Sequence, residues 1–404
     1  GEDGYIKKGY ENLLLQSNSF DTTWAGNVTL TSGQSGYDGS NDAWLLNVIS
    51  GNLRQSISLS GVIVTSVYIK KGTANGFRLR INAATDFNLY IDLVANDIYS
   101  HDGISAKMES VGSGWYRVQI AANVSSLTEI SFYTTDGATT PTSETIYIQD
   151  AQLNQGLVAY PYLETTTAPA QGGLLENSPR VDWSNGVPSV LVEEGRTNLF
   201  SGSEYYGDYS FTNTSIETNS MISPEGLQNA SSLIDTTANV AHRLRSESFS
   251  VTSGEDYTTS LFIKKGSVNY LQLTFSSGQF GTNFVWFDLT DFSIDSITSG
   301  HNATIEVFGS DWYKLTYTVN CTASGVCFLF VNPSDNTSSI FYTGTNSANL
   351  HLYGLQLEQA STPSSYIPTY GTSQTRSNET VSDTFTIPTT ATIYNSFYSN
   401  VAEQ

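Results

Sequence analysis

Apolar and polar residues alternate with a period of two along most of the chain. Phe77, Leu79 and Ile81 alternate with Arg78 and Arg80, and Leu271, Leu273 and Phe275 alternate with Gln272 and Thr274. Leu89, Ile91 and Leu93 are spaced by Tyr90 and Asp92, and Val285, Phe287 and Leu289 by Trp286 and Asp288. Successive side chains of a strand point to opposite faces, so this pattern predicts strands with one face in a core. Clusters of Gly, Asn, Asp and Ser between the runs predict turns. No segment carries a helical period over about ten residues. The expectation is antiparallel strands of about five to eight residues arranged as sandwiches.

The pattern occurs twice. Asn12-Leu13-Leu14 returns as Asn198-Leu199-Phe200, and Ile69-Lys70-Lys71-Gly72 as Ile263-Lys264-Lys265-Gly266. Trp115-Tyr116-Arg117-Val118 returns as Trp312-Tyr313-Lys314-Leu315. Gln152-Leu153 followed by Tyr160-Pro161 returns as Gln356-Leu357-Glu358 followed by Tyr366-Ile367-Pro368. The spacing between copies widens along the chain, as insertions in loops would make it. The chain therefore reads as all-β, with two tandem antiparallel β-sandwich domains of the jelly-roll type. An N-terminal segment (1–9) precedes a first jelly roll (10–165) and a linker with a short hairpin (166–195). A second jelly roll (196–376) leads into a tail, or the start of a further element (377–404). The hairpin is read from the runs 179–183 and 188–192 around Asn185-Gly186, and the tail from the runs 384–387 and 392–394.

Composition narrows the function. The 17 Lys and Arg stand against 38 Asp and Glu, a formal net charge of −21, which argues against nucleic acid as a partner. The same charge keeps an exposed surface soluble and disfavours strongly anionic ligands at long range. Aromatic residues make up 12% of the chain and supply both cores and stacking surfaces. No apolar run approaches the roughly 18 residues of a membrane helix, so membrane insertion is not expected. Gly1-Glu2-Asp3-Gly4 carries neither Met nor an apolar leader and reads as the start of a processed product or a fragment. Cys321 and Cys327 flank a short turn and read either as a disulfide across it or as two buried thiols.

If the apolar set of each strand faces the core, the polar set faces outward. That set is Arg78, Arg80, Tyr90 and Asp92 in the first repeat, and Gln272, Thr274, Trp286 and Asp288 in the second. An aromatic plate beside a carboxylate and planar donors suits a sugar, whose C–H face stacks on the ring while hydroxyls bond to the polar groups. The competing reading places the same side chains under a loop or at a domain contact. Trp115 and Trp312 either extend the platform or pack with the adjacent Tyr. The loops 38–42 and 332–336 carry the hard oxygen ligands that Ca²⁺ takes, although ordinary Asx turns account for them better. The four His are dispersed, and there is no zinc spacing, nucleophile elbow or phosphate loop, so no enzyme is expected.

The ordered motifs Asn-Leu, Ile-Lys-Lys-Gly, Trp-Tyr-Arg/Lys and Gln-Leu-Glu, ending in Ser365-Tyr366-Ile367-Pro368-Thr369, resemble carbohydrate-binding-module-like jelly rolls of bacteriophage virion proteins. The stretch from Pro179-Arg180-Val181-Asp182 to Thr197-Asn198-Leu199 resembles a recurrent junction in phage tail and head-fibre proteins. The first repeat departs from the pattern, with Asn154 in place of the Glu and Pro161-Tyr162-Leu163 in place of the Ile-Pro-Thr ending. The resemblance implies a fibre or decoration component at the virion surface, often trimeric, that binds host cell-surface polysaccharide and contacts other virion proteins. The alternatives are a purely structural assembly or spacer protein, part of a polysaccharide depolymerase, and a secreted or cell-surface bacterial adhesin.

Overall fold

The structure is a computed structural model and describes residues 5–174, 180–182, 189–309, 311–337 and 339–379. The first part of the chain forms β1 (Gly9–Asn12), β2 (Ala25–Gln34), β3 (Ala43–Lys71), β4 (Gly76–Asn82) and β5 (Phe87–Asp92). It continues with β6 (Asp97–His101), β7 (Ser105–Gly112), β8 (Trp115–Thr135), β9 (Thr145–Gln155) and β10 (Ala170–Gly173). A small antiparallel pair, β11 (Arg180–Asp182) and β12 (Ser189–Leu191), follows. The turn expected at Asn185-Gly186 lies outside the described residues, as do the tail runs at 384–387 and 392–394.

The second part holds β13 (Arg196–Asn198), β14 (Ser210–Thr212), β15 (Thr214–Met221), β16 (Ala230–Asp235), β17 (Asn239–Ala241) and β18 (Arg243–Arg245). Next come β19 (Phe249–Val251), β20 (Asp256–Lys265), β21 (Tyr270–Phe275), β22 (Val285–Asp288), β23 (Ser293–Ile297) and β24 (Asn302–Phe308). The last are β25 (Trp312–Asn320), β26 (Gly325–Cys327), β27 (Leu329–Ser334), β28 (Phe341–Thr343), β29 (Ala348–Glu358) and β30 (Gln374–Arg376). Among the described residues the one helix is the single turn Ser277–Phe280, and no helix is long and apolar enough to cross a membrane.

Both parts are antiparallel β-sandwiches with the same strand order. In the second, one layer runs β14-β18-β27-β21-β22-β23 and the other β15-β16-β29-β20-β25-β24. In the first, β3 and β8 serve both layers. Residues 53–59 of β3 and 127–132 of β8 pair in the layer that continues through β4, β5 and β6. Residues 62–70 of β3 and 115–124 of β8 pair in the layer that holds β9 and β7. Strand length therefore departs from expectation, with 29 residues in β3 and 21 in β8. The register shifts between Ser56 and Gly61 explain it: a bulge bends a strand and lets one chain run turn from layer to layer.

The inward set of the period-two pattern fills the cores. Phe77, Leu79, Ile81, Leu89, Ile91 and Leu93 lie in one cluster and Leu271, Leu273, Phe275, Val285, Phe287 and Leu289 in another, all buried. Truncating such a side chain to Ala typically costs about 2–5 kcal/mol, so this set governs folding. Cys321 and Cys327 belong to the second core as free, buried thiols.

The repeated motifs are fasteners. Asn12 Nδ2 donates to the carbonyls of Ala151 and Leu163, and its Oδ1 accepts from Leu14 N and Leu153 N. Asn198 repeats this with Leu355, Ile367, Phe200 N and Leu357 N. Gln152 Oε1 accepts from Leu163 N, as Gln356 Oε1 does from Ile367 N. Tyr162 bonds to Ser17 as Tyr366 bonds to Ser203, so Tyr366 corresponds to Tyr162 and not to Tyr160.

Lys8 joins the sandwiches. Its side chain is 3% exposed and its ammonium lies 2.6 Å from Glu204 and 2.9 Å from Glu225. Glu225 also accepts from Tyr160 of the first sandwich and from Tyr353 and Asn229 of the second, and Glu204 accepts from Tyr366. Tyr370 O accepts from Val62 N across the same junction. Burial opposes ionisation of both carboxyls. At Glu225, Lys8 and the hydrogen bonds outweigh burial and hold the pKa low, whereas at Glu204 burial wins and the pKa is raised.

Candidate functional site

The outward side chains of β4 and β5 sit beside those of β3 and β8 on one polar face. Register puts Arg78 between Tyr133 and Tyr90, and Arg80 between Ser131 and Asn88. The Arg78 guanidinium lies 4.8 Å from the Tyr133 ring centroid and 5.4 Å from that of Tyr90, a cation–π arrangement. It also donates twice to Asn88 Oδ1, at 2.9 and 2.6 Å. Asn88 Nδ2 donates to Asp102. Arg80 pairs with Asp86 and donates to the Tyr133 hydroxyl, while Asn52 Nδ2 donates to the same oxygen at 2.7 Å. Arg54 pairs with Glu129. Planar donors, a phenol and half-buried ring surface thus share one face, the combination that saccharide recognition uses.

The second sandwich builds its face on the same strands. Register aligns Arg243 with Thr212, Asn332 with Gln272, and Gln272 with Trp286. Arg243 Nε donates to Asn332 Oδ1 at 2.9 Å, and Asn332 Nδ2 donates to Gln272 Oε1 at 2.9 Å. One step along, Arg245 pairs in register with Phe330, and Phe330 with Thr274. Arg243 lies 4.7 Å from the Phe330 centroid and Arg245 4.6 Å from that of Phe328.

Several expectations change here. Trp286 is on the outward side of β22, outside the core cluster, yet it is only 5% exposed and offers no open plate. Asp92 Oδ1 accepts from Val94 N and Ala95 N, and Asp288 Oδ1 from Thr290 N and Oγ1. Both aspartates fold turns at the edge of the face instead of standing beside the aromatic residue as free acceptors. Burial opposes ionisation of Asp288, but the Thr290 bonds outweigh it and hold its carboxyl below the usual range. Trp115 and Trp312 lie on neither polar face. Each is buried in a small cluster of its own, Trp115 with Ala43 and Tyr68, Trp312 with Ala230, Phe262 and Tyr353.

The loop 38–42 is a closed hydrogen-bonded turn. Asp38 and Asp42 accept from Ser40 and Gln149. Asn332, Pro333 and Ser334 belong to β27, not to a loop. Among the described residues no group of three or more His, Cys, Asp or Glu is arranged to hold a metal ion. Asn52, Arg54, Asn88 and Tyr133, and Arg243, Arg245, Asn332, Phe328 and Phe330, were not singled out in the sequence. Arg243-Leu244-Arg245 carried the signal, since it shows the same alternation as Arg78-Leu79-Arg80.

No family model matches the chain, and no curated protein matches it. Among solved structures, it is matched to the N-terminal CBM22-1–CBM22-2 tandem domain of Paenibacillus barcinonensis Xyn10C. The identity is 13% and the TM-score 0.24, over 87% of this chain and 98% of that one.

Proposed function

We propose that the chain is a non-catalytic glycan-binding protein that offers two sandwich modules to a cell-surface polysaccharide, as a fibre or decoration component of a bacteriophage virion. The observation that carries the glycan reading is the pair of polar faces built on corresponding strands, each combining guanidinium, amide and aromatic groups. Two weak sites on one chain gain avidity when both engage a repeating polymer, and trimerisation would multiply the gain. The virion setting rests on the sequence resemblance, and labelling of phage particles by antibody against the chain would test it.

A microarray of neutral and acidic polysaccharides tests the glycan reading. Saturable binding is expected, weakened about tenfold in Tyr90→Ala or Gln272→Ala for ligands of the respective module. Both residues are half-buried surface positions, so the variants should stay folded. Binding unchanged in both variants, or no binding by the folded chain, would refute the reading. The buried Lys8 junction favours a second one, a rigid spacer in a larger assembly, which the outcome without binding would support.

A further inference from the structure

The two faces differ in charge compensation. On the first, Arg80 and Arg54 have carboxylate partners, and Arg78 is bonded to an amide that is itself anchored by Asp102. On the second, neither Arg243 nor Arg245 forms an ion pair with any described residue. Their protein partners are Asn332 Oδ1 and Ser210 Oγ. Both terminal nitrogens of Arg243 and one of Arg245 are left without a hydrogen bond to a described residue, and Arg245 Nε is buried without a partner. Residues two apart on one strand face are roughly 6.5–7 Å apart at Cα, so two guanidinium groups stand side by side. The Phe328 and Phe330 rings hold them there. Desolvation by burial draws the Arg243 pKa below its ordinary value.

We infer that the outer face of the second module takes a saccharide unit bearing an oxyanion, a carboxylate or a sulfate or phosphate ester, seated on the free edges of Arg243 and Arg245. The hydroxyls of that unit meet Gln272, whose Nε2 makes no hydrogen bond to a described residue. This rests on the glycan-binding reading and names its ligand class. The chain's overall charge opposes an anionic polymer at long range. At about 0.15 M salt, however, the Debye length is about 8 Å, so repulsion from distant carboxylates is screened. Charge-assisted bonds at contact distance then dominate.

The test titrates the full chain with polygalacturonate, with carboxyl-reduced polygalacturonate and with dextran sulfate. The first and third arms distinguish a carboxylate from a sulfate source. At least one anionic polymer is expected to bind about tenfold or more tighter than the reduced one. Arg243→Gln and Arg245→Gln should each lower that preference several-fold, and the double variant should abolish it. Lys107→Gln, which removes an exposed cation from β7 of the other sandwich, away from both faces, should leave it intact. Arg243→Lys keeps the charge but loses the planar fork, and an intermediate loss is expected. Should the Gln variants fail to fold, salt dependence of the native chain decides: affinity for the anionic polymer must fall as salt rises, and that for the reduced polymer must not. Equal binding of anionic and reduced polymers, tighter binding of the reduced polymer, a preference that survives the double variant, or a salt-independent affinity would overturn the inference and leave glycan binding standing. A folded chain that binds no saccharide on the array either would remove the underlying reading as well.

Discussion

Replacing Lys8 by Met keeps most of the side-chain volume and removes the charge that Glu204 and Glu225 share. The two carboxylates are 1% and 5% exposed and lie 2.6 and 2.9 Å from the ammonium. Removing one partner of a buried ion pair typically costs about 3–5 kcal/mol, because the remaining charge keeps its desolvation penalty. The cost is capped by the free energy that docks the two sandwiches, since undocking returns the carboxylates to water. Without Lys8 both carboxyls would have folded pKa values above the unfolded one of about 4.5. A raised folded value gives stability that is present below the unfolded pKa and lost as pH rises through the folded one. In the native chain Glu225 has a lowered pKa and contributes with the opposite sign. The difference between native and variant should therefore be largest at neutral pH and close towards pH 4. Denaturation monitored by calorimetry at about pH 7 and pH 4, with small-angle scattering to follow docking, measures both. Lys8→Met/Glu204→Gln/Glu225→Gln should recover much of the loss. A Lys8→Met chain as stable and compact as the native one at neutral pH would refute the reasoning.

Two other perturbations follow from the same physics. Burial, together with the charges of Asp42 and Asp38 and against a hydrogen bond from Tyr37, pushes the Asp150 carboxyl up to about 7. Its contribution is thus full below about pH 4 and lost as pH rises through 7, so Asp150→Asn should stabilise the first sandwich by about 1–2 kcal/mol at pH 8 and by little at pH 4, as thermal melts would show. Asn also tolerates the left-handed backbone at this position, where φ is 54°. Gly61 has φ +105° and a Cβ there would collide with the carbonyl oxygen of Tyr370 in the second sandwich. Gly61→Ala should loosen the junction by about 2 kcal/mol or more, seen as faster proteolysis between the sandwiches with little change in either core.

The fold class was legible because the alternation of Phe77, Leu79 and Ile81 with arginines requires a strand with one buried face. The same alternation put Arg78, Arg80 and Tyr90 on an outward side. Burial on that side was not legible, and Trp286 shows why: a period of two gives the face but not what covers it. Arg243 and Arg245 escaped notice because their strand has only three residues. Lys8 escaped it because its partners Glu204 and Tyr370 are 196 and 362 positions away. The length of β3 was hidden because Ser56, Ser58, Ser60 and Gly61 place small residues at its bulge, where the strand passes from one layer to the other.

Amide hydrogen exchange with and without a saturating oligosaccharide, chosen by the array, tests the central claim most directly. Slowed exchange is expected in β4, β5 and the second half of β8, or in β18, β21 and β27, according to the module engaged. Protection confined instead to the cleft of about 450 Å³ lined by Tyr10, Glu11, Gln155 and Gln374 would contradict the assignment of the sheet faces as the binding surfaces.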